Sequence, residues 1–261
     1  MNILFFDIDG TLITNDGTRY FPEDAKEAIR KTRENGNLAF INTGRVFSNV
    51  DNFIRDVGFD GYVCGCGSYI NFRGEVLYRK ETPQSVCREI AYKCRELGMH
   101  ALFEHTDYTC IDMEMKSPER DKLVDFFING GKKLSTDIDS QEFKFDKFSA
   151  WYYPESRLDD FRKYISQYFD YIDREGNFCE LQPIGHSKAS SIQFLLDYFN
   201  MPVDNSYVFG DGNNDLEMMR FAGHSVCMKD GSEDALKTAE YVTGSVTEGG
   251  IAGALKHYGL I

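Results

Sequence analysis

Ile3-Leu4-Phe5-Phe6-Asp7-Ile8-Asp9-Gly10-Thr11 sets a four-residue apolar run directly before two aspartates spaced two apart. A wholly apolar run of that length suits a strand buried on both faces of a parallel sheet. On an extended chain residues i and i+2 point the same way, so Asp7 and Asp9 both project beyond the strand's carboxyl end, where open α/β sheets place their ligands. Two carboxylates that close do not both stay ionised without a cation nearby. Taken alone, Asp-x-Asp-Gly is also a common turn. Its meaning depends on what the rest of the chain brings to the same edge.

Outward from this stretch the pattern alternates. Residues 22–35 read as a helix, with Pro22 at its first position and Gly36 just past its end, and Leu38 to Ile41 as the next strand. Val46 to Val57 reads as a second helix closed by Gly58, and Tyr62 to Cys64 as a third strand. Strands alternating with helices predict a parallel sheet covered on both faces. Between Tyr69 and Lys80 two apolar runs flank Arg73-Gly74, which predicts a hairpin.

From residue 82 to residue 180 the elements are mixed. Helical patterns at Gln84 to Leu97, Pro118 to Ile128 and Pro154 to Tyr168 interleave with aromatic stretches at His100 to Phe103, Tyr108 to Met113 and Phe143 to Tyr153. This predicts an inserted α+β domain with an antiparallel sheet. After Pro183 the first rhythm returns, with helices at Lys188 to Phe199 and Asn213 to Phe221 and strands at Tyr207 to Phe209 and Ser225 to Met228. Residues 1–81 and 181–261 are therefore expected to form one α/β core, interrupted by residues 82–180.

Three further elements bear on chemistry. Gly210-Asp211-Gly212-Asn213-Asn214-Asp215 follows an apolar strand and leads into a helix. With both strand ends at one sheet edge, Asp7, Asp9 and Asp211 converge as hard oxygen ligands suited to Mg²⁺. Asn42-Thr43-Gly44-Arg45 follows the second strand, and Gly185-His186-Ser187-Lys188 opens a helix. Thr43 offers a hydroxyl, Gly44 an unobstructed N–H, and Lys188 a point charge near a helix N-terminus, which together suit a phosphate. Singly, each has a structural reading as a helix cap, a turn or a surface lysine. Two acidic elements in one sheet weigh against that.

With 261 residues, the chain can bury about three quarters of its unfolded surface, near the size at which one core begins to divide. Hydrophobic residues at 42% and charged residues at 27% are ordinary for a globular fold. The formal charge of -13, from 42 acids against 29 bases, argues against a surface that holds nucleic acid or an anionic membrane by neutralising phosphates. A small anion remains accessible where a metal ion and a few cations are concentrated. The N-terminal apolar run has no basic flank and is too short for a signal peptide or a membrane span, and seven scattered cysteines show no CxxC pair or zinc-ligand spacing. A cytoplasmic protein with reduced thiols is expected.

In this order, each at a strand or helix end, the four elements resemble the haloacid dehalogenase superfamily, and most of all its Cof-type branch with a class II, subtype B cap. The resemblance implies a Rossmann-like parallel-sheet core and a cap domain, over residues 82–180, that closes as a lid and sets substrate choice. It implies a Mg²⁺-dependent phosphomonoesterase acting on small phosphorylated metabolites, sugar phosphates foremost. It makes Asp7 the nucleophile that forms an aspartyl-phosphate and Asp9 the general acid/base, with Mg²⁺ held by the Asp7 side chain, the Asp9 backbone carbonyl and Asp211. Ile8 through its backbone, Thr43, Gly44, Lys188 and Asn214 would contact phosphate, and Asp215 would orient the metal shell. One departure is visible: Cys64-Gly65-Cys66-Gly67 stands where the branch commonly has an Asn-Gly pair, which bears on loop shape and substrate contacts.

The chemistry explains the set. Attack by a carboxylate on a phosphate dianion brings like charges together, so cations must neutralise them while the phosphoryl group is held in line. An aspartate with its reference pKa of about 3.9 attacks without help from a base, whereas Asp9 must give up a proton and later take one. Two rival functions share the motifs: a phosphomutase or phosphotransferase that passes the phosphoryl group to a second hydroxyl, and an idle metabolite-binding regulator. The full set of catalytic side chains disfavours the second. Gly65-Cys66-Gly67 begins like a dinucleotide fingerprint, but Ile70 stands in place of the third glycine, and no GxxxxGK[ST] loop is present.

Overall fold

The computed structural model of the chain describes residues 1–174 and 176–261. Ile3–Phe6 (β1), Glu23–Glu34 (α1), Leu38–Asn42 (β2), Asn52–Arg55 (α2), Gly61–Cys64 (β3), Tyr69–Phe72 (β4) and Glu75–Arg79 (β5) come first. Gln84–Leu97 (α3), His100–Glu104 (β6), Thr109–Ile111 (β7), Pro118–Asn129 (α4), Leu134–Ser135 (β8), Lys147–Trp151 (β9), Leu158–Ile165 (α5), Phe169–Asp173 (β10) and Phe178–Pro183 (β11) follow. Lys188–Phe199 (α6), Ser206–Gly210 (β12), Leu216–Phe221 (α7), His224–Cys227 (β13), Glu233–Thr238 (α8), Tyr241–Val242 (β14) and Gly250–His257 (α9) complete the chain.

Contacts divide these elements into two compact units, Met1–Arg45 with Val50–Tyr78 and Ser187–Ile261, and Val46–Asn49 with Arg79–His186. The first unit holds a sheet in the order β14-β13-β12-β1-β2-β3-β4-β5, parallel from β14 to β3. Strands β1, β2 and β12 are buried along their whole length, as a sheet covered on both faces requires. Phe5, Phe40, Val63 and Val208 pack with Ile192, Leu195 and Leu196 of α6. Each such side chain contributes about 1.5–3 kcal/mol through burial. Strand β4 runs antiparallel to β3, and its turn to β5 uses Arg73 and Gly74, both with positive φ, the geometry of a type I′ hairpin. The expected α/β class with a Rossmann-like parallel core is what the chain adopts.

The second unit is built on a sheet in the order β10-β11-β9-β6-β7-β8, antiparallel except for β7 with β8. Alternate residues of its strands face a core where Cys87, Ile90, Ala91 and Cys94 of α3 and Phe161 and Ile165 of α5 meet Phe103, Phe148, Ala150, Cys179 and Leu181. Phe127 of α4 packs with Leu102 and Ile111 in a separate cluster.

The local elements differ from the sequence reading in three places. Val46 to Val57 is not one helix but a 3-10 turn at Phe47–Asn49 followed by the short α2. The Ser48 hydroxyl donates to the His105 carbonyl at 2.9 Å, the Asn49 amide donates to Glu104 Oε1 at 3.1 Å, and Lys132 Nζ donates to the Asn49 carbonyl at 3.1 Å. Those bonds commit residues 46–49 to the second unit and interrupt the helix. The helix expected from Pro154 begins only at Leu158, because Tyr153 and Ser156 close a turn on each other. Within the Phe143 to Tyr153 stretch only Lys147–Trp151 is strand, while Phe143 and Phe145 reach the core from a loop. The second unit also starts and ends outside residues 82–180, at Arg79 and His186.

Among the described residues no helix is long and apolar enough to cross a membrane. All seven cysteines are buried, and none is in a disulfide. Burial pushes the Cys64 thiol above its usual range, so Cys64 is no thiolate at neutral pH.

Candidate active site

Three strands of the first sheet end level. Phe6 stands opposite Ile41 of β2 and Phe209 of β12, so Asp7, Asn42-Thr43 and Gly210-Asp211 all leave at the carboxyl edge. The Asp7 N–H still donates to the Phe209 carbonyl at 2.9 Å, which holds Asp7 at the strand end.

Lys188 is the centre of the site. It is the first residue of α6, whose N-cap Ser187 accepts from the Ser190 N–H, and its side chain is buried. Its Nζ lies 2.7 Å from Asp7 Oδ1 and donates to Asp215 Oδ1 at 2.5 Å. The Asn42 amide donates to the Lys188 carbonyl at 3.1 Å, tying the first turn of α6 to β2. Asp215 Oδ2 accepts from the N–H groups of Asp211 and Gly212, each at 3.0 Å. Asp215 thus uses both oxygens to fix Lys188 and the loop after β12. Asp211 in turn accepts from the Thr11 hydroxyl at 3.1 Å.

Asp7, Asp211 and Asp215 each offer an oxygen, and the three atoms lie within 4.8 Å of one another. With all three ionised, the carboxylates would outnumber the one Lys188 ammonium by two charges (3 − 1 = 2). Burial pushes Asp7 up to about 7, opposed by Lys188 and aided by repulsion from Asp215 and Asp211. Burial, with repulsion from Asp215, pushes Asp211 up to about 6. Burial works against the Lys188 ammonium, yet Asp215 and Asp7 outweigh it and raise Lys188 above the usual lysine range, so it stays charged. Hard oxygen donors that, when ionised, carry an excess of two negative charges fit a divalent cation such as Mg²⁺.

The other sequence-derived residues adjoin these along the chain, Ile8 beside Asp7, Thr43 and Gly44 after Asn42, and Asn214 before Asp215. Thr43 is buried; its N–H donates to the Val63 carbonyl at 2.9 Å and its hydroxyl accepts from the Arg45 N–H at 3.2 Å. A Cβ on Gly44 would lie 3.4 Å from Cys66 Sγ, and the Cys66 N–H donates to the Thr43 carbonyl at 3.1 Å. Gly65, Cys66 and Gly67 all take positive φ, so the Cys-Gly-Cys-Gly stretch forms a compact left-handed turn against Thr43-Gly44. Ile8 is buried, and its carbonyl accepts from the Leu12 and Ile13 N–H groups, which closes the turn after β1. Asn214 is exposed and folds over Gly212.

The Asp9 side chain does not join the cluster. Arg45 Nε donates to Asp9 Oδ2 at 2.8 Å, and a terminal nitrogen of the same guanidinium bonds Oδ1. Arg45 closes the Asn42-Thr43-Gly44-Arg45 turn, and nothing in the sequence gives it a role beyond its nearness to Thr43 and Gly44. The Thr11 hydroxyl is a second contact to the site that the sequence does not single out, although it belongs to the opening motif.

A family model for haloacid dehalogenase-like hydrolases matches residues 4–255. The chain belongs to this family. It falls in the Cof-type branch that its motifs resemble, and it is an enzyme of the phosphatase type. Among curated proteins, YkrA of Bacillus subtilis (strain 168), provisionally named a phosphatase, is 26% identical over 99% of this chain and 98% of its own length. The 5-amino-6-(5-phospho-D-ribitylamino)uracil phosphatase YitU of the same organism is 23% identical over 98% of this chain and 97% of its own. Among solved structures, the subclass IIB sugar phosphatase BT4131 superposes with a TM-score of 0.80 at 26% identity over 100% of both chains. A hypothetical protein from Geobacillus kaustophilus HTA426 gives 0.87 at 26% identity, covering 100% of this chain and 99% of that one.

Proposed function

We propose that the enzyme is a Mg²⁺-dependent phosphomonoesterase that hydrolyses small phosphorylated metabolites, sugar phosphates foremost, through an aspartyl-phosphate on Asp7. The observation that carries this reading is the Asp7 carboxylate held against Lys188 at 2.7 Å, with Asp211 and Asp215 crowded beside it at a sheet edge. A bound Mg²⁺ would neutralise the excess carboxylate charge and the phosphate that approaches it. Asp7 and Asp211 are the side chains that would hold it, together with the Asp9 backbone carbonyl, while Asp215 keeps Lys188 and the Asp211 loop in place.

Lys188 supplies the positive charge that lets a phosphate dianion lie against Asp7, and Thr43, Gly44, Asn214 and the Ile8 backbone complete the phosphate cradle. An Asp7 oxygen forms a bond to phosphorus as the ester O–P bond breaks. The electron pair stays on the ester oxygen, which takes a proton from Asp9. Water then forms a bond to phosphorus, gives a proton to Asp9 and releases Asp7. The second compact unit is assigned the part of the cap, which selects the leaving group. The sugar-phosphate class is supported by the named activities of BT4131 and YitU, both directed at phosphate esters of sugars or sugar-derived chains. Buried thiols outside any disulfide suit a reducing cytoplasm.

The test is phosphate release from a panel of sugar, nucleotide and cofactor phosphates with and without Mg²⁺. A metal-dependent preference for sugar phosphates is expected. Full activity after rigorous metal removal would overturn the proposal, and phosphoryl transfer to a second hydroxyl without phosphate release would point to a mutase.

A further inference from the structure

Asp9 is the end of a ladder of charges within the first unit. Arg45 engages both Asp9 oxygens, and its remaining terminal nitrogen donates to Asp51 Oδ2 at 3.0 Å. Arg19 pairs with the same Asp51 oxygen. Asp51 occupies the N-cap position of α2, where an aspartate ordinarily accepts from its own helix, yet it makes no such bond. Its carboxylate is turned instead to two guanidinium groups. The Arg45 and Asp51 side chains are only 18% and 14% exposed, so this pair is shielded from the screening that weakens surface ion pairs.

Building on the reading of Asp9 as general acid/base, we propose that Arg45 is a positioning residue that aims the Asp9 carboxyl at the leaving oxygen, with Asp51 as its anchor. A planar guanidinium on both oxygens sets the plane and direction of a carboxyl group, which a single ammonium does not. A carboxylate engaged on both oxygens only accepts, so proton transfer at Asp9 requires one bond to open while the other holds. Arg45 meets that need because Asp51 keeps its guanidinium in place when one arm is released.

The readout is leaving-group dependence. A sugar alkoxide leaves only with a proton, whereas 4-nitrophenolate leaves nearly unaided, and kcat/KM reports the steps through transfer to Asp7. In Arg45→Ala and Asp51→Asn, kcat/KM for the best sugar phosphate of the panel should fall about 10- to 100-fold, and that for 4-nitrophenyl phosphate by less than about 3-fold. Arg45→Lys should lie between Arg45→Ala and the unaltered enzyme. An equal loss on both substrates, or none on either, overturns the proposal. Asp9→Asn separates the two readings. A loss there without leaving-group dependence sinks the general-acid assignment itself, whereas leaving-group dependence in Asp9→Asn but not in the Arg45 variants sinks only the role of Arg45. Should Arg45→Ala fail to fold by circular dichroism, Arg45→Lys and Asp51→Asn carry the same comparison.

Discussion

A Cβ on Gly10 would stand 2.2 Å from Asp211 Oδ2, so the turn after β1 and the acidic loop after β12 share one space that only glycine leaves open. Gly10 also has a φ of +75°, where an L side chain costs about 1–2 kcal/mol. Gly10→Ala should therefore lower Mg²⁺ affinity about 10- to 100-fold by displacing Asp211. Calorimetric titration with Mg²⁺ checks it, and an unchanged affinity would contradict the placement of Asp211 as a ligand.

Lys188 is the one cation bonded to both Asp7 and Asp215 among the described residues. Lys188→Met leaves those buried carboxylates facing each other, and breaking a buried pair in this way costs about 3–5 kcal/mol. The midpoint of urea unfolding without metal should fall accordingly, and activity should vanish. A variant as stable as the parent would mean that the site relaxes by admitting water.

Asp7→Asn acts on the same cluster with the opposite sign. It removes a charge from a site with too many carboxylates and changes little volume, so stability in EDTA should hold or rise while kcat falls about 10³-fold or more. Loss of folding together with activity would show that Asp7 is structural.

If Asp7 and Asp211 hold the metal as proposed, protons compete with it for them. Both are raised from an ordinary value of 3.8, to about 7 and about 6, so each binds its proton more tightly folded than unfolded. Metal-free stability from these groups should therefore decline as pH rises from about 4 to about 7, then level off. Mg²⁺ binding should release protons and weaken as pH falls through the same window. Calorimetry at pH near 6.5 in two buffers of different ionisation enthalpy measures the release. Identical heats in both buffers would rule it out.

What the sequence yielded follows from the range of each interaction. Asp7 and Asp211 each follow an apolar strand, so alternation alone leads one to expect them at one sheet edge, but the same reading put the Asp9 side chain with them and took Lys188 for a phosphate contact, not for their ion partner. Arg45 could not be foreseen, because its partner Asp9 lies across the sheet edge and no periodicity marks the pair. Nor could the break in the expected Val46 to Val57 helix, since Ser48 and Asn49 owe it to partners at residues 104, 105 and 132. Phe143 and Phe145 look like strand because they are aromatic and alternate, yet they fill the core from a loop. The Cys-Gly-Cys-Gly turn needs three successive left-handed residues, one of them a cysteine, and residue types foretell no such run.

The backbone passes between the two compact units at 45/46, 49/50, 78/79 and 186/187, four passages where a simple insertion needs two. The second unit is consequently no cassette. Recombination that exchanges residues 79–186 alone would hand a foreign partner to the native Ser48 and Asn49, with Glu104, His105 and Lys132 gone. Chimeras between relatives should therefore function only when the tetrapeptide at 46–49 is inherited together with the larger segment, and the two stretches should drift through evolution as one heritable block.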